Sequence, residues 1–80
     1  MGKFIIYPNP AKKDVTIQFD NIFRYSSIEI MDITGRIVLT KDYTVMDNIL
    51  FDVSQLTKGI YTIIVKDNHQ IISSKKLIKE

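Results

Sequence analysis

Hydrophobic and polar residues alternate with a period of two along most of the chain. Val15, Ile17 and Phe19 point one way and Thr16 and Gln18 the other, while Ile28 and Ile30 oppose Ser27 and Glu29. Ile49, Phe51 and Val53 oppose Leu50 and Asp52, and Tyr61, Ile63 and Val65 oppose Thr62 and Lys66. Successive side chains leave a β-strand on opposite faces, so each run predicts a strand with one face buried. Turn-forming residues separate the runs: Pro8-Asn9-Pro10, Asp20-Asn21, Thr34-Gly35, Asp47-Asn48, Lys58-Gly59 and Asp67-Asn68. Asn, Asp and Gly accept positive φ, and Asn and Asp can also bond their own backbone two residues on. The predicted strands are 3–7, 14–19, 26–32, 36–42, 48–53, 60–66 and 70–78. Short, mainly antiparallel strands at this even spacing predict a sandwich or a barrel. The last strand is ambiguous, because Ile71 and Leu77 fall on one face and Ile72 and Ile78 on the other. Ser54-Gln55-Leu56 has room for a single helical turn.

Composition supports an all-β reading. The sequence holds 15 Ile, 5 Val and 6 Thr against 4 Leu and 1 Ala. Residues branched at Cβ suit a pleated surface, whereas Ala and Leu favour helices. Eighty residues make one small domain. The chain has no cysteine, hence no disulfide and no thiolate metal site. No apolar run approaches the roughly 20 residues of a membrane helix, and no secretory signal pattern opens the chain. Residues 1–3, with Met1-Gly2 as a translation start joined to a fragment, read as an added start or linker remnant, and the domain as residues 4–80. A net charge of +2 with the signs interspersed is too mild for a nucleic-acid footprint.

One spacing separates sandwich from barrel. Leu56, Gly59 and Tyr61 stand just before the strongest strand. Immunoglobulin-like sandwiches place a Tyr near the start of strand F, and its hydroxyl bonds back to the backbone upstream. Leu56 would plug the core at this corner and Gly59 would supply the tight backbone. The alternative is a half-buried Tyr beside an ordinary turn. The matching offsets favour the corner, and hence a single immunoglobulin-like β-sandwich of about seven strands.

Catalytic and cofactor chemistry finds little to work with. His69 is the only imidazole, beside turn residues Asp67 and Asn68, and a triad would need a Ser aimed at this loop, for example Ser73 or Ser74. It reads as a solvated loop histidine. Zinc lacks ligands. Asp20, Asn21, Asp32, Asp47, Asn48, Asp67 and Asn68 are oxygen donors, but they follow no calcium-loop spacing and turn chemistry accounts for them. The glycines are too scattered to cradle a phosphate. Phe4 and Tyr7 near Lys3, and Phe23 and Tyr25 around Arg24, are too few for a nucleic-acid stacking platform. The expectation is a protein that is not an enzyme and uses no metal or cofactor.

Two features remain. Tyr7-Pro8-Asn9-Pro10 must leave the sheet or run along its edge, since proline lacks a ladder donor. It ends a strand and blunts an edge, or it presents the N-terminal junction in one orientation. The tail Lys75-Lys76-Leu77-Ile78-Lys79-Glu80 mixes charge with aliphatic residues. Its lysines would keep an edge strand from pairing, or the strand would dock on a receptor by strand addition or in a pocket. Both readings of each feature stand.

These residues in this order resemble the type A C-terminal sorting domain of proteins exported by the type IX secretion system of Bacteroidota. Tyr7-Pro8-Asn9-Pro10-Ala11 with the strand after Asp14 resembles its opening block, and the stretch from Ile28 through Gly35-Arg36 its central strand and turn. Leu56-Thr57-Lys58-Gly59-Ile60-Tyr61 resembles its Gly-x-Tyr block, and Lys76-Leu77-Ile78-Lys79 its basic-aliphatic ending. Glu80 departs from the basic or apolar last residue more usual there.

The resemblance implies a secretion address on a larger cargo that reaches the periplasm by its own signal peptide. The folded domain would be recognised by translocon components. A sortase-like peptidase would then remove it at the cell surface, cutting before Phe4 or in an upstream linker, and join the cargo to an anionic lipopolysaccharide, or the cargo would be released. On this reading recognition falls on Lys75, Lys76, Leu77, Ile78 and Lys79, with Gly35 and Arg36 as a second patch, although a positive-φ hairpin position also accounts for Gly35. Met31, Leu50, Ile60 and Ile64, opposite the expected core, form a possible contact patch for a partner, a second copy or the cargo. Edge strands leave room for a homodimer. The alternative function is an immunoglobulin-like spacer or carbohydrate-binding module of a secreted surface enzyme. That reading predicts a row of exposed aromatics, yet Tyr7, Tyr25, Tyr43 and Tyr61 are scattered and there is no Trp.

Overall fold

Alternation along the chain becomes two facing antiparallel sheets in the computed structural model, which describes residues 4–23, 26–43, 46–67 and 70–80. The strands are β1 (Phe4–Tyr7), β2 (Asp14–Phe23), β3 (Ser26–Asp32), β4 (Ile37–Tyr43), β5 (Met46–Asp52), β6 (Gly59–Asp67) and β7 (Gln70–Lys79). One sheet has the order β1-β2-β5 and the other β4-β3-β6-β7. This is the arrangement of an immunoglobulin-like sandwich, with β3 and β6 at the centre of the larger sheet.

The inward set is the one the alternation marks. Val15, Ile17, Ile28, Ile30, Val53, Ile63, Val65 and Leu77 are fully buried, and Phe4 meets Phe19 with ring centroids 5.8 Å apart. Each such aliphatic side chain contributes about 1.5–3 kcal/mol when taken out of water, and in the absence of cysteine this burial is what holds the sheets together.

Three expectations about local structure are corrected. Asp20-Asn21 and Asp47-Asn48 do not end strands, because β2 and β5 run through them. The pairing of β2 with β5 shifts between Gln18 and Phe23, so the first pair lies in a bulged stretch of strand. Residues 54–56 form a turn and no helix, closed by Leu56 N–H on Val53 O at 3.0 Å and by Ser54 N–H on the Asp52 carboxylate at 2.9 Å. In β7, Ser73 pairs with Val65 but Ile71 with Lys66, which leaves Ile72 as the extra residue of a bulge. That bulge inverts the face upstream, so Ile71 is exposed on the outer surface while Leu77 lies in the core.

Both edges of the larger sheet carry devices against pairing with another chain. Lys41 on β4 stands opposite core residue Ile28, and Lys75 on β7 opposite core residue Ile63, yet both lysines are exposed. Inward-register charge and bulges both discourage edge pairing. These features disfavour pairing through β4 and β7, and nothing among the described residues supports the homodimer expected through edge strands.

Candidate functional site

The tail separates into two sets of side chains. Lys75 and Lys76 are exposed and Ile78 is half-buried, whereas Leu77 is fully buried and Lys79 is only 7 % exposed. Lys79 Nζ donates to the Glu80 carbonyl at 3.1 Å. Alternation explains Leu77, which pairs with core residue Tyr61. As an exposed five-residue surface, the expected tail site therefore loses Leu77 and Lys79 and keeps Lys75, Lys76 and Ile78.

Residues 8–11 form a strap along the outer edge of β7. Asn9 Nδ2 donates to Lys76 O at 2.9 Å, and Ile78 N–H donates to Asn9 Oδ1 at 2.9 Å. Ala11 continues the pairing in parallel, its N–H on Ile78 O and its carbonyl accepting from Glu80 N–H, both at 2.8 Å. Pro8 and Pro10 both follow cis peptide bonds. Proline cannot extend a ladder, so the Asn9 carboxamide supplies the donor and acceptor that a neighbouring strand would provide. The edge from Lys76 to Glu80 is thus already paired, and strand addition there would require displacement of the strap.

The second expected patch is a tight turn at residues 32–36. Gly35 adopts φ +91°, a conformation that suits glycine. Asp32 N–H donates to Arg36 O at 2.9 Å and Gly35 N–H to Asp32 O at 3.0 Å. Asp32 Oδ1 accepts from Thr34 Oγ1 at 2.6 Å, Thr34 N at 2.9 Å and Arg36 N at 3.1 Å, while Arg36 Nε lies 3.3 Å from Oδ2. The Thr34 hydroxyl, then the Arg36 backbone N–H, hold this carboxyl below the ordinary Asp value of 3.8. Turn-holding is therefore the role of Asp32. Among the described residues no group of three or more His, Cys, Asp or Glu side chains could hold a metal ion. Ser73 is half-buried and Ser74 exposed on β7. Asn68 and His69 lie outside the described residues, as do Lys3, Arg24 and Tyr25.

Between the turn and the last strand stands the tyrosine corner. Tyr61 Oη donates to Thr57 O at 2.6 Å and lies 3.1 Å from Thr57 Oγ1, with Leu56 buried beside it. Gly59 has φ +158°, and a Cβ there would meet Tyr61 Cε1 at 3.9 Å. An open groove of about 440 Å³ runs between this corner and the 32–36 turn, over Val38, Leu39, Leu56 and Tyr61.

The expected contact patch does not hold together as drawn. Leu50 is 68 % exposed but lies on β5 in the smaller sheet, apart from Met31, Ile60 and Ile64 on β3 and β6. Ile64 is only 6 % exposed, on a central strand between Glu29 and Ser74, with Lys66 Nζ bridging to Glu29 at 3.1 Å alongside. Sequence reasoning missed Ile33 and Ile37, which are exposed near the turn. The register shift between Ile30 and Met31 brings Ile37 opposite Met31 on the outer face. No alternation could reveal a bulge, but Ile33 inside a turn was an available signal.

No helix in the described residues is long and apolar enough to cross a membrane. Residues 5–80 match a family model described as a secretion system C-terminal sorting domain. No curated protein matches the chain.

Proposed function

The chain belongs to the secretion system C-terminal sorting domain family, whose members are sorting signals of type IX secretion, and on that premise we propose that the folded domain is read through the side chains its last strand leaves outside. Its role is to direct an attached cargo across the outer membrane, to the cell surface or the medium. The observation that supports readout by side chains is the strap, since the backbone edge from Lys76 to Glu80 is already paired with residues 9–11. Lys75, Lys76 and Ile78 remain presented, held in place by Leu77 in the core.

In this reading the domain performs no chemistry of its own and uses no metal or cofactor. It is carried through the periplasm on its cargo in a Bacteroidota cell, engages the translocon, and is then removed as the substrate of a sortase-like peptidase acting upstream of Phe4. A glycan-binding role finds little support in the described aromatic side chains, because Phe4, Phe19, Phe51 and Tyr61 are buried and Tyr7, which is exposed, does not make a row by itself.

The test is export of a reporter bearing an N-terminal signal peptide and residues 1–80 at its C-terminus, in a bacterium with an intact type IX system. Deleting the tail would remove Leu77 and test folding, so the informative variant is Lys75→Glu with Lys76→Glu. Export of the parent fusion and periplasmic retention of the folded double variant are expected. Retention of the parent would overturn the sorting role, and full export of the variant would remove the two lysines from recognition.

A further inference from the structure

The 32–36 turn and the last strand, distant in sequence, border one surface. The groove between the turn and the tyrosine corner has a floor of Val38, Leu39, Leu56 and Tyr61. Its rim carries Ile33 and Ile60, both exposed, together with Arg36 and Lys58. Ile60 pairs directly with Ile78 on β7, and Lys76 stands opposite the neighbouring Thr62. At about 440 Å³ the groove falls within the range of small-ligand pockets, roughly 300–1,000 Å³. It is large enough to take a bulky side chain.

Charge along the groove is net positive. Arg36 and Lys58 line it, and Lys76 lies outside it on β7. The acid beside them, Asp32, has its carboxylate occupied by Thr34 and Arg36. Arg36 keeps its side chain 77 % exposed despite that pairing. An apolar floor under a cationic rim fits a ligand that is apolar in the middle and acidic at its flanks. The apolar insertion supplies affinity, about 1.5–3 kcal/mol for a large side chain. The carboxylates supply encounter rate and specificity, since exposed ion pairs alone contribute little.

We propose that this groove docks an acidic peptide segment of the secretion machinery that inserts one bulky apolar side chain between the 32–36 turn and the tyrosine corner. The identity of the partner rests on the sorting reading, whereas the chemistry of the groove does not. Docking joins the Gly35-Arg36 patch and the tail into one recognition surface, with Ile60 and Ile78 as its shared centre.

Two arms test it on the 80-residue chain. In the first, amide spectra are followed as a blocked peptide is added, Phe flanked on each side by two Glu. Controls replace Phe by Ala or the Glu residues by Lys. Shifts at Ile33, Arg36, Lys58 and Ile60 are expected with the acidic Phe peptide only. Lys58→Glu, an exposed loop change, should weaken binding about tenfold, and added salt should weaken it in the parent. No shift at these residues, or equal shifts with the Lys-flanked peptide, overturns the proposal.

In the second arm, the export reporter carries Lys58→Glu, or Ile60→Thr should the first variant melt below the parent. Export of the parent with retention of the folded variant supports docking at the groove. Equal export of both overturns docking there and leaves the sorting role standing. Retention of the parent itself overturns the sorting role, and the peptide arm then decides the groove alone.

Discussion

The 8–11 strap and the 32–36 turn are each held by one short polar side chain, Asn9 in the first and Asp32 in the second. They differ in reach. Asp32 bonds residues two and four positions on, so its turn can form as soon as that stretch of chain bends. Asn9 bonds residues 67 and 69 positions on, and those bonds exist only once β7 has docked. Closing so long a loop costs entropy that the local turn does not pay. The two also differ in chemistry, since a carboxylate titrates and a carboxamide does not. The strap is therefore a signature of the completed fold, and the turn is not.

The harshest way to break this comparison is Leu77→Ala. Leu77 is fully buried opposite Tyr61 and anchors the strand that the strap lies on. Truncating a buried Leu costs about 2–5 kcal/mol, a large share of the stability of a domain this small. Chemical denaturation should show the loss, and the Ile78 amide should lose its protection along with the global fold. A change below about 1 kcal/mol would mean that β7 is not anchored through Leu77.

Asn9→Ala sharpens the comparison without removing the core. It deletes two hydrogen bonds at an exposed edge, where water can replace them, so the expected cost is about 1 kcal/mol. Hydrogen exchange should quicken at the Ile78 amide, which loses its acceptor Asn9 Oδ1, and stay unchanged at Gly35 and Arg36. Ala11 keeps its own bonds to Ile78 and Glu80, so the strap loosens rather than leaves. Unchanged exchange at Ile78 would show that Asn9 does not hold the edge.

The same contrast of reach explains what could be read from the residues alone. Runs of strand length between turn residues located all seven strands, and period-two alternation assigned the buried face of four of them, because that face is a local property of each run. Leu56, Gly59 and Tyr61 located the corner, since Tyr61 bonds only four residues back. Pro8-Asn9-Pro10 showed that the chain must leave β1 but not which edge it would cover, as nothing near Asn9 specifies Lys76 or Ile78. Bulges were equally hidden. The one at Ile72 puts Ile71 on the face opposite Leu77, which the ambiguous pattern of the last strand left open, and the shift after Ile30 sets Ile37 beside Met31. Burial of Ile64 depends on two neighbouring strands and an ion pair between Lys66 and Glu29, which no single run displays. The groove needs the 32–36 turn and the tyrosine corner side by side, and so it appears only when the strands are assembled.

The gentlest test is acid. Asp32 is held below its ordinary value of 3.8, first by the Thr34 hydroxyl and then by the Arg36 backbone N–H, against a smaller opposing effect of burial. A carboxyl with a lowered value in the folded state binds a proton more readily when unfolded. Its contribution to stability is fully present above about pH 3.8 and is lost as the pH falls through the lowered value. Asp32→Asn keeps an oxygen acceptor for the turn but removes the titrating group. The variant should therefore lose less stability than the parent between pH 7 and pH 2. Some loss will remain, because Asp52 is held low in the same way, first by the Ser54 backbone N–H. The bonds from Asn9 to the last strand involve no titrating group, so under native conditions Ile78 should keep its protection relative to Gly35 as the turn weakens. Denaturant midpoints at the two pH values, with amide exchange corrected for intrinsic rates, measure both. An equal acid loss in the variant and the parent would remove Asp32 as a source of pH dependence. Parallel loss of protection at Ile78 and Gly35 would mean that the strap and the turn behave as one unit, and the comparison between them would fail.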